Sequence, residues 1–344
     1  MRVLITGNLG YVGPALARHL RQTHPDWILD GLDSGFFAEC LPDPTLEALF
    51  DRQHFADMRD IGPHQFDGID AVVLLAAISN DPMGARFAAV TDAINHRAVA
   101  RIADMAAQAG VRALVFASSC SVYGAASDRA RREDDMLDPR SEYAHSKIAA
   151  EAALRAHAST AMHVTCLRFA TACGWAPRLR LDLVLNDLVA HAVLAGEINV
   201  LSDGTPWRPL IDVADMARAI DWAIGRDGAP FCLCNTGSDD WNWQIRTLAE
   251  AVAAAVPGAL VRINADAPSD PRSYRVDFSR FAALAPDHQP RMTLSGSIQR
   301  LRQGIIEAGL TADDLRAPST VRLKKLDQLI AAGRLAPDLR WRAP

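Results

Sequence analysis

Tyr143-Ala-His-Ser-Lys147 places a phenol and an ammonium four residues apart, which on a helix is one face. An ammonium beside a phenol favours the ionised form, so the spacing predicts that the pKa of Tyr143 falls toward the working range. Such a group can take the proton of a substrate hydroxyl while hydride leaves the same carbon. Isolated Tyr/Lys pairs are common on helices, and this one gains its weight from what precedes it. Phe116-Ala-Ser-Ser-Cys-Ser-Val-Tyr-Gly124 follows a strand-like run, and chemistry in an open parallel sheet collects at the carboxyl ends of strands. A serine hydroxyl there can hold the oxygen that Tyr143 deprotonates.

A second kind of chemistry is written at the start of the chain. Thr6-Gly-Asn-Leu-Gly-Tyr-Val-Gly13 lies between an apolar run and a helix-like stretch that opens on Pro14. Backbone without Cβ lets a pyrophosphate approach, and the free N–H groups of a helix start face its oxygens. Pro14 suits the first helical turn, where its missing N–H loses no bond. Asp33, at the end of the next strand-like run, is the acid expected to accept from the adenosine ribose hydroxyls. It would repel a 2′-phosphate, and Ser34-Gly-Phe-Phe37 offers no arginine to offset that, so NAD is expected over NADP. The cofactor contacts expected from this turn are Gly7, Asn8, Leu9, Gly10, Tyr11, Val12, Gly13 and Asp33.

The elements that must position these groups alternate. Strand-like runs occupy Arg2–Thr6, Trp27–Leu32, Ala71–Ala76, Ala113–Ala117 and His163–Arg168, with alanine-rich helical stretches at Pro14–Thr23, Asn95–Gly110 and Tyr143–Ala158. This alternation predicts an α/β fold with a Rossmann-type doubly wound parallel sheet. The runs are continuously apolar, as strands covered on both faces should be. After Arg168 the pattern loosens into Pro-, Gly- and Trp-rich loops, read as a smaller mixed α/β C-terminal substrate lobe. The expected division is 1–168 for the cofactor domain, with 210–237 returning to it, and 169–344 mainly for the lobe. Phe231–Asn235 is the strand expected to rejoin the sheet, and Val321–Leu335 reads as a helix.

Bulk properties narrow the classes. Hydrophobic residues at 49% and charged residues at 22% describe an ordinary globular chain, and a net charge of −5 argues against nucleic-acid binding. Six scattered cysteines make no disulfide framework, and no Cys or His pair has zinc-ligand spacing, so no metal is expected. The first residues run straight into a strand without a signal-peptide pattern, and no stretch is long enough to span a bilayer. A cytoplasmic location and no membrane partner are expected.

In this order, the glycine turn, the acid, the serine loop and the Tyr-x-x-x-Lys pair resemble the extended short-chain dehydrogenase/reductase family, in its nucleotide-sugar epimerase and dehydratase branch. The resemblance covers about residues 1–310. It implies that Ser119, four residues before Tyr123, is the catalytic hydroxyl, that Tyr143 is the acid/base, and that Lys147 binds the nicotinamide ribose. It further implies cofactor contacts from Asp57 and Met58 at the adenine, Leu75, Ala76 and Ala77 beneath the dinucleotide, Asn95 steadying the active-site strand, and Phe169. Substrate contacts are expected from Ser79, Ser119, Cys120, Ser121, Thr171, Arg180 and Asn186. Arg208 and Arg272 are similar to the family's two diphosphate grips, with Asp212 standing where the family has a histidine. Guanidinium forks suit phosphate oxygens, although either arginine could equally be a solvated surface group. His145 points away from the Tyr143 face and reads as a surface or interface residue. Trp241 and Trp243 fit either base stacking or packing.

Departures from the family pattern bear on function. Cys120-Ser121 replaces the Asp-Glu of the dehydratases, so 4,6-dehydration is not expected; Thr171 replaces an asparagine frequent in the epimerases. The resemblance implies an NAD-dependent enzyme acting on a nucleotide-diphosphate sugar through a 4-keto intermediate, either a C4 epimerase or a C4 oxidoreductase. A reductase of a non-nucleotide carbonyl compound and a non-catalytic NAD-sensing protein are the alternatives. A homodimer through the helices at Asn95–Gly110 and Tyr143–Ala158 is expected from the resemblance.

Overall fold

The computed structural model describes residues 1–41, 44–125, 129–264, 266–267 and 273–342. Seven strands form one parallel sheet: β1 (Arg2–Thr6), β2 (Ile28–Asp33), β3 (Arg52–Phe55), β4 (Ala71–Leu74), β5 (Ala113–Ser119), β6 (His163–Phe169) and β10 (Phe231–Thr236). Their order is β3-β2-β1-β4-β5-β6-β10, so the chain starts in the middle and winds outward both ways. The direction reverses between β1 and β4, which opens a crevice outside the carboxyl ends of these strands. Val3, Leu4, Ile5 and Ala71–Leu74 are at most 1% exposed, because helices cover both faces. Leu4, Val72, Leu114 and Val164 face one hydrophobic core; Val3, Ile5, Val73 and Val115 face the other. That alternation of neighbours is the period of two that a strand imposes.

The helices are α1 (Gly13–Thr23), α2 (Asp81–Arg86), α3 (Ala88–Asp92), α4 (Val99–Gln108), α5 (Glu142–His157), α6 (Val184–Ala195), α7 (Val213–Gly225), α8 (Ile245–Ala255), α9 (Ser279–Leu284), α10 (Leu294–Glu307) and α11 (Arg322–Ala331). A π-helical turn, Ala93–Ala98, joins α3 to α4, so the helix expected from Asn95 onward is wound more widely at its start. Ser141 caps α5 by accepting from the Ala144 N–H at 3.2 Å, which fixes where the Tyr143 helix begins.

Two small sheets build the rest. β7 (Thr171–Cys173), β9 (Trp207–Asp212) and β11 (Asn242–Gln244) form one, and β8 (Glu197–Val200) pairs with β12 (Leu260–Ile263) in the other. With α6, α8 and α10 they enclose a third core around Leu185, Val189, Leu248 and Leu301. Trp241 is buried in this core and Trp243 packs against it, so packing rather than base stacking accounts for them. Among the described residues no helix is long and apolar enough to cross a membrane. No cluster of His, Cys, Asp and Glu among them could hold a metal ion.

Beneath α5 lies a buried polar network. Glu151, one turn after Lys147, accepts from Arg168 Nε at 3.0 Å and Nη2 at 2.7 Å, and from Ser118 Oγ at 2.5 Å. Arg168 also donates to the Tyr123 hydroxyl at 3.0 Å, which donates to Asn235 at 2.6 Å. The network therefore ties α5 to β5, β6 and β10.

Candidate active site

A cleft of about 1130 Å³ runs along the carboxyl ends of the strands and continues between the sheet and the smaller lobe. Gly7, Gly10, Val12 and Asp33 line one end; Ser119, Tyr143, Lys147, Thr171 and Arg208 line the other; Tyr11 and Arg180 lie between, with Arg180 near both Tyr143 and Arg322.

The glycines of the turn have distinct reasons. Gly7 has φ of +70°, and a Cβ there would lie 2.5 Å from the Ala76 nitrogen, so β4 and its continuation exclude any side chain. A Cβ on Gly13 would meet the Asn8 carbonyl oxygen at 2.2 Å, so this glycine serves the fold of the turn and does not line the cleft. Gly10 lies in the cleft wall, where only the Gly7 carbonyl at 3.0 Å would touch a Cβ, leaving a bare stretch for a phosphate. The Asn8 side chain points away from the cleft to pair with Gln53 at 2.7 Å. That corrects its expected role: as a side chain it braces β3, and so does not reach a cofactor. Leu9 acts through its backbone, donating to Asp33 Oδ2 at 3.1 Å, while Gly35 N–H donates to Oδ1 at 2.7 Å. Burial pushes the Asp33 carboxyl upward against those two donors and the nearby Arg322 and Arg178 charges, which pull it down.

Met58, Leu75, Ala76, Ala77 and Phe169 all line the cleft. Asp57 lines it too, but its carboxylate is engaged by Arg59 Nη2 at 2.6 Å. Asn95 is 1% exposed and holds both the N–H and the carbonyl of Ile78, at 2.8 and 2.9 Å, and the Ser146 hydroxyl at 3.1 Å. It fixes the segment after β4 from behind and is not in the cleft wall.

At the Tyr143 end of the cleft, α5 and β5 converge. Ser119 and Tyr143 line the cleft together, near enough for the serine hydroxyl to favour the phenolate. Lys147 Nζ donates to the Ala117 carbonyl at 2.7 Å and lies 4.5 Å from the Phe116 ring centre and 5.5 Å from that of Tyr143. The expected acid shift of the phenol is not what this arrangement gives. Although Tyr143 keeps some surface in the cleft, the protein packed around it pushes its pKa up to about 12. The pulls in the other direction come from the Ser119 hydroxyl and the Arg180 charge, since the ammonium of Lys147 is turned toward Ala117. Burial lowers Lys147 to about 8.

The substrate-side residues divide. Ser79 accepts from Arg180 Nη1 at 2.9 Å, and Arg180 pairs with Asp182 at 2.8 Å; all three line the cleft. Ser121 lines it with a hydroxyl that has no partner among the described residues. Cys120 and Asn186 were expected to touch substrate, but neither lines the cleft. Cys120 is fully buried, its thiol on the Arg168 carbonyl at 3.0 Å, because successive residues at a strand end face opposite ways. Asn186 is fully buried and braces the loop before α6 through Gly174 N–H, the Arg180 carbonyl and the Tyr11 hydroxyl. Arg272 lies outside the described residues. His145 is exposed. Asp81, Ser141, Tyr274 and Arg322 also line the cleft, and sequence spacing gave no sign of them.

The sheet, the turn and the Ser119–Tyr143–Lys147 group define a dinucleotide-dependent enzyme of the Rossmann class. Residues 3–231 match the NAD dependent epimerase/dehydratase family, and the chain belongs to it. NAD is its cofactor, and the bare wall at Gly10 with Asp33 beyond it fits that molecule. The chain is 24% identical over 240 residues to the uncharacterised UDP-glucose epimerase YtcB of Bacillus subtilis, covering 66% of this chain and 73% of that one. It is 29% identical over 241 residues to the UDP-glucose 4-epimerase of Mycolicibacterium smegmatis, covering 66% and 74%. Among solved structures, MoeE5 in complex with UDP-glucuronic acid and NAD is similar, with a TM-score of 0.76 and 25% identity over 90% of this chain and 100% of that one.

The hold on Asp33 predicts cofactor choice. NAD is expected to bind about tenfold or more tightly than NADP, and Asp33→Ser to reduce that preference, because a 2′-phosphate would face a carboxylate fixed by two N–H groups. Titration calorimetry of both cofactors measures this; equal wild-type affinities would remove Asp33 from the role.

Proposed function

We propose that the protein is an NAD-dependent nucleotide-sugar C4 epimerase or C4 oxidoreductase. The observation that carries the reading is that Ser119, Tyr143 and Lys147 line one cleft with the glycine turn and Asp33. Gly7, Gly10 and the N–H groups of the turn would hold the cofactor diphosphate, Asp33 its adenosine ribose, and Lys147 its nicotinamide ribose. When bound, NAD supplies a hydride acceptor whose positive ring also favours phenolate at Tyr143. Ser119 orients the sugar hydroxyl, and Tyr143 removes its proton as the carbon becomes a ketone. The same phenol returns the proton when the alcohol is restored. Arg208 is read as meeting the substrate's diphosphate. The smaller lobe beyond β6 is read as the substrate-binding part, and a second copy is read as packing on the outer faces of α4 and α5, where Ala107, Ala152 and Ala156 are exposed.

Any ligand that binds only the folded chain raises its melting temperature. A panel of UDP, GDP, dTDP and CDP at about 100 times Kd is expected to include at least one that adds about 2.7 kcal/mol of apparent stability. If none of the four shifts the thermal transition while NAD does, the nucleotide-sugar part of the reading fails.

A further inference from the structure

We propose that Arg322, carried into the cleft at the start of α11, is the counter-charge for the diphosphate of the bound dinucleotide, an inference that rests on the NAD reading above. Arg322 lies far beyond the residues that match the family, and reaches the cofactor end of the cleft because the segment from α11 to Arg342 docks on the β2–β3 region. Lys325 and Arg334 pair with Glu39 at 3.2 and 3.1 Å. Trp341 Nε1 donates to the Ser34 carbonyl at 2.6 Å, and Arg340 pairs with Asp60. These contacts hold the Arg322 guanidinium 4.6 Å from the centre of the Phe37 ring, with Nη2 donating to the Arg178 carbonyl at 2.7 Å.

Arg322 is 2% exposed, yet lines the same cleft as Gly7, Gly10 and Asp33. Among the described residues its Nη1 has no hydrogen-bond partner, and no carboxylate lies within ion-pair distance of it. Its neighbours Arg178 and Arg180 carry the same sign; of the acids near it, Asp182 is committed to Arg180 and Asp33 is held by two backbone N–H groups. Burial and these like charges hold its pKa down to about 10. A guanidinium out of water without a counter-ion is costly, and a bound anion removes that cost. The planar fork matches paired phosphate oxygens. Two diphosphates share this cleft in the proposed reaction, the cofactor's and the substrate's. The place of Arg322 beside Phe37 and close to Asp33 assigns it to the cofactor's, since Arg208 and Tyr274 lie at the substrate end.

Titration calorimetry on the full chain, stripped of nucleotide, decides the matter with NAD, ADP-ribose, adenosine, NADP and UDP. Arg322→Gln keeps a donor for the Arg178 carbonyl and removes the charge. It is expected to weaken NAD and ADP-ribose about tenfold or more, with adenosine and UDP changed by less than about twofold. Arg322→Lys restores the charge without the fork and is expected to fall between; should the Gln protein not fold, a Lys protein that weakens NAD but not adenosine supports the assignment. Unchanged NAD affinity overturns it. So does an equal loss for adenosine, which would mark a purely structural arginine, a loss confined to UDP, or a loss confined to NADP. Wild-type protein that binds neither NAD nor ADP-ribose fails the NAD reading itself, before any variant is made.

Discussion

Tyr143→Phe is expected to lower kcat by roughly 100- to 10,000-fold, the range a positioned proton-transfer group supplies, while NAD binds as it does to the wild type. The substitution removes one hydroxyl and leaves the ring between Ser119 and Lys147, so the cleft wall is preserved. The direction of the pH profile follows from the position of the phenol. Burial holds it near 12, and a base must be ionised to accept a proton, so wild-type kcat/KM should rise with pH through the neutral range. Bound cofactor moves the midpoint down without changing that sign. Initial rates on the responding nucleotide sugar, with calorimetry for NAD, measure both. Residual turnover within tenfold of wild type would remove Tyr143 from the role of acid/base.

The second large effect is on stability. Glu151 and Arg168 form a two-point ion pair whose side chains are 7% and 4% exposed. Removing one partner strands the other charge in the interior, so Glu151→Leu or Arg168→Met alone should cost about 3–5 kcal/mol. The double variant Glu151→Leu/Arg168→Met should recover most of the loss, because no unpaired charge remains. Urea unfolding reads all three. Single variants costing less than about 1 kcal/mol would show that the pair is not the strong tie its geometry describes.

How far the sequence could be read depended on whether a signal was local. Apolar runs such as Ala71-Val-Val-Leu74 announce themselves because both faces are covered, whereas β3, Arg52-Gln-His-Phe55, is a polar edge strand and gives no such signal. The glycine turn and the Tyr143/Lys147 pair are each set by spacing within a single turn or helix, and the fold brings them to one cleft. Cys120 and Asn186 illustrate the opposite limit: proximity in the chain to site residues did not fix which way their side chains point. Asp81, Tyr274 and Arg322 could not have been found by spacing, because distant segments bring them together. The expected acid shift of Tyr143 failed for a related reason. The count of residues between phenol and ammonium says nothing about burial, or about the Ala117 carbonyl that claims the lysine.

The path of the chain after β6 bears on how the cleft can close. It leaves the large sheet for β7, α6 and β8, returns through α7 to β10, departs again for α8 and β12, comes back with α9 against β10, and crosses once more to α10. Rotation of one part against the other would have to bend all of these crossings together. That chain path favours small adjustments at the cleft mouth over a wide swing of the wall bearing Tyr143.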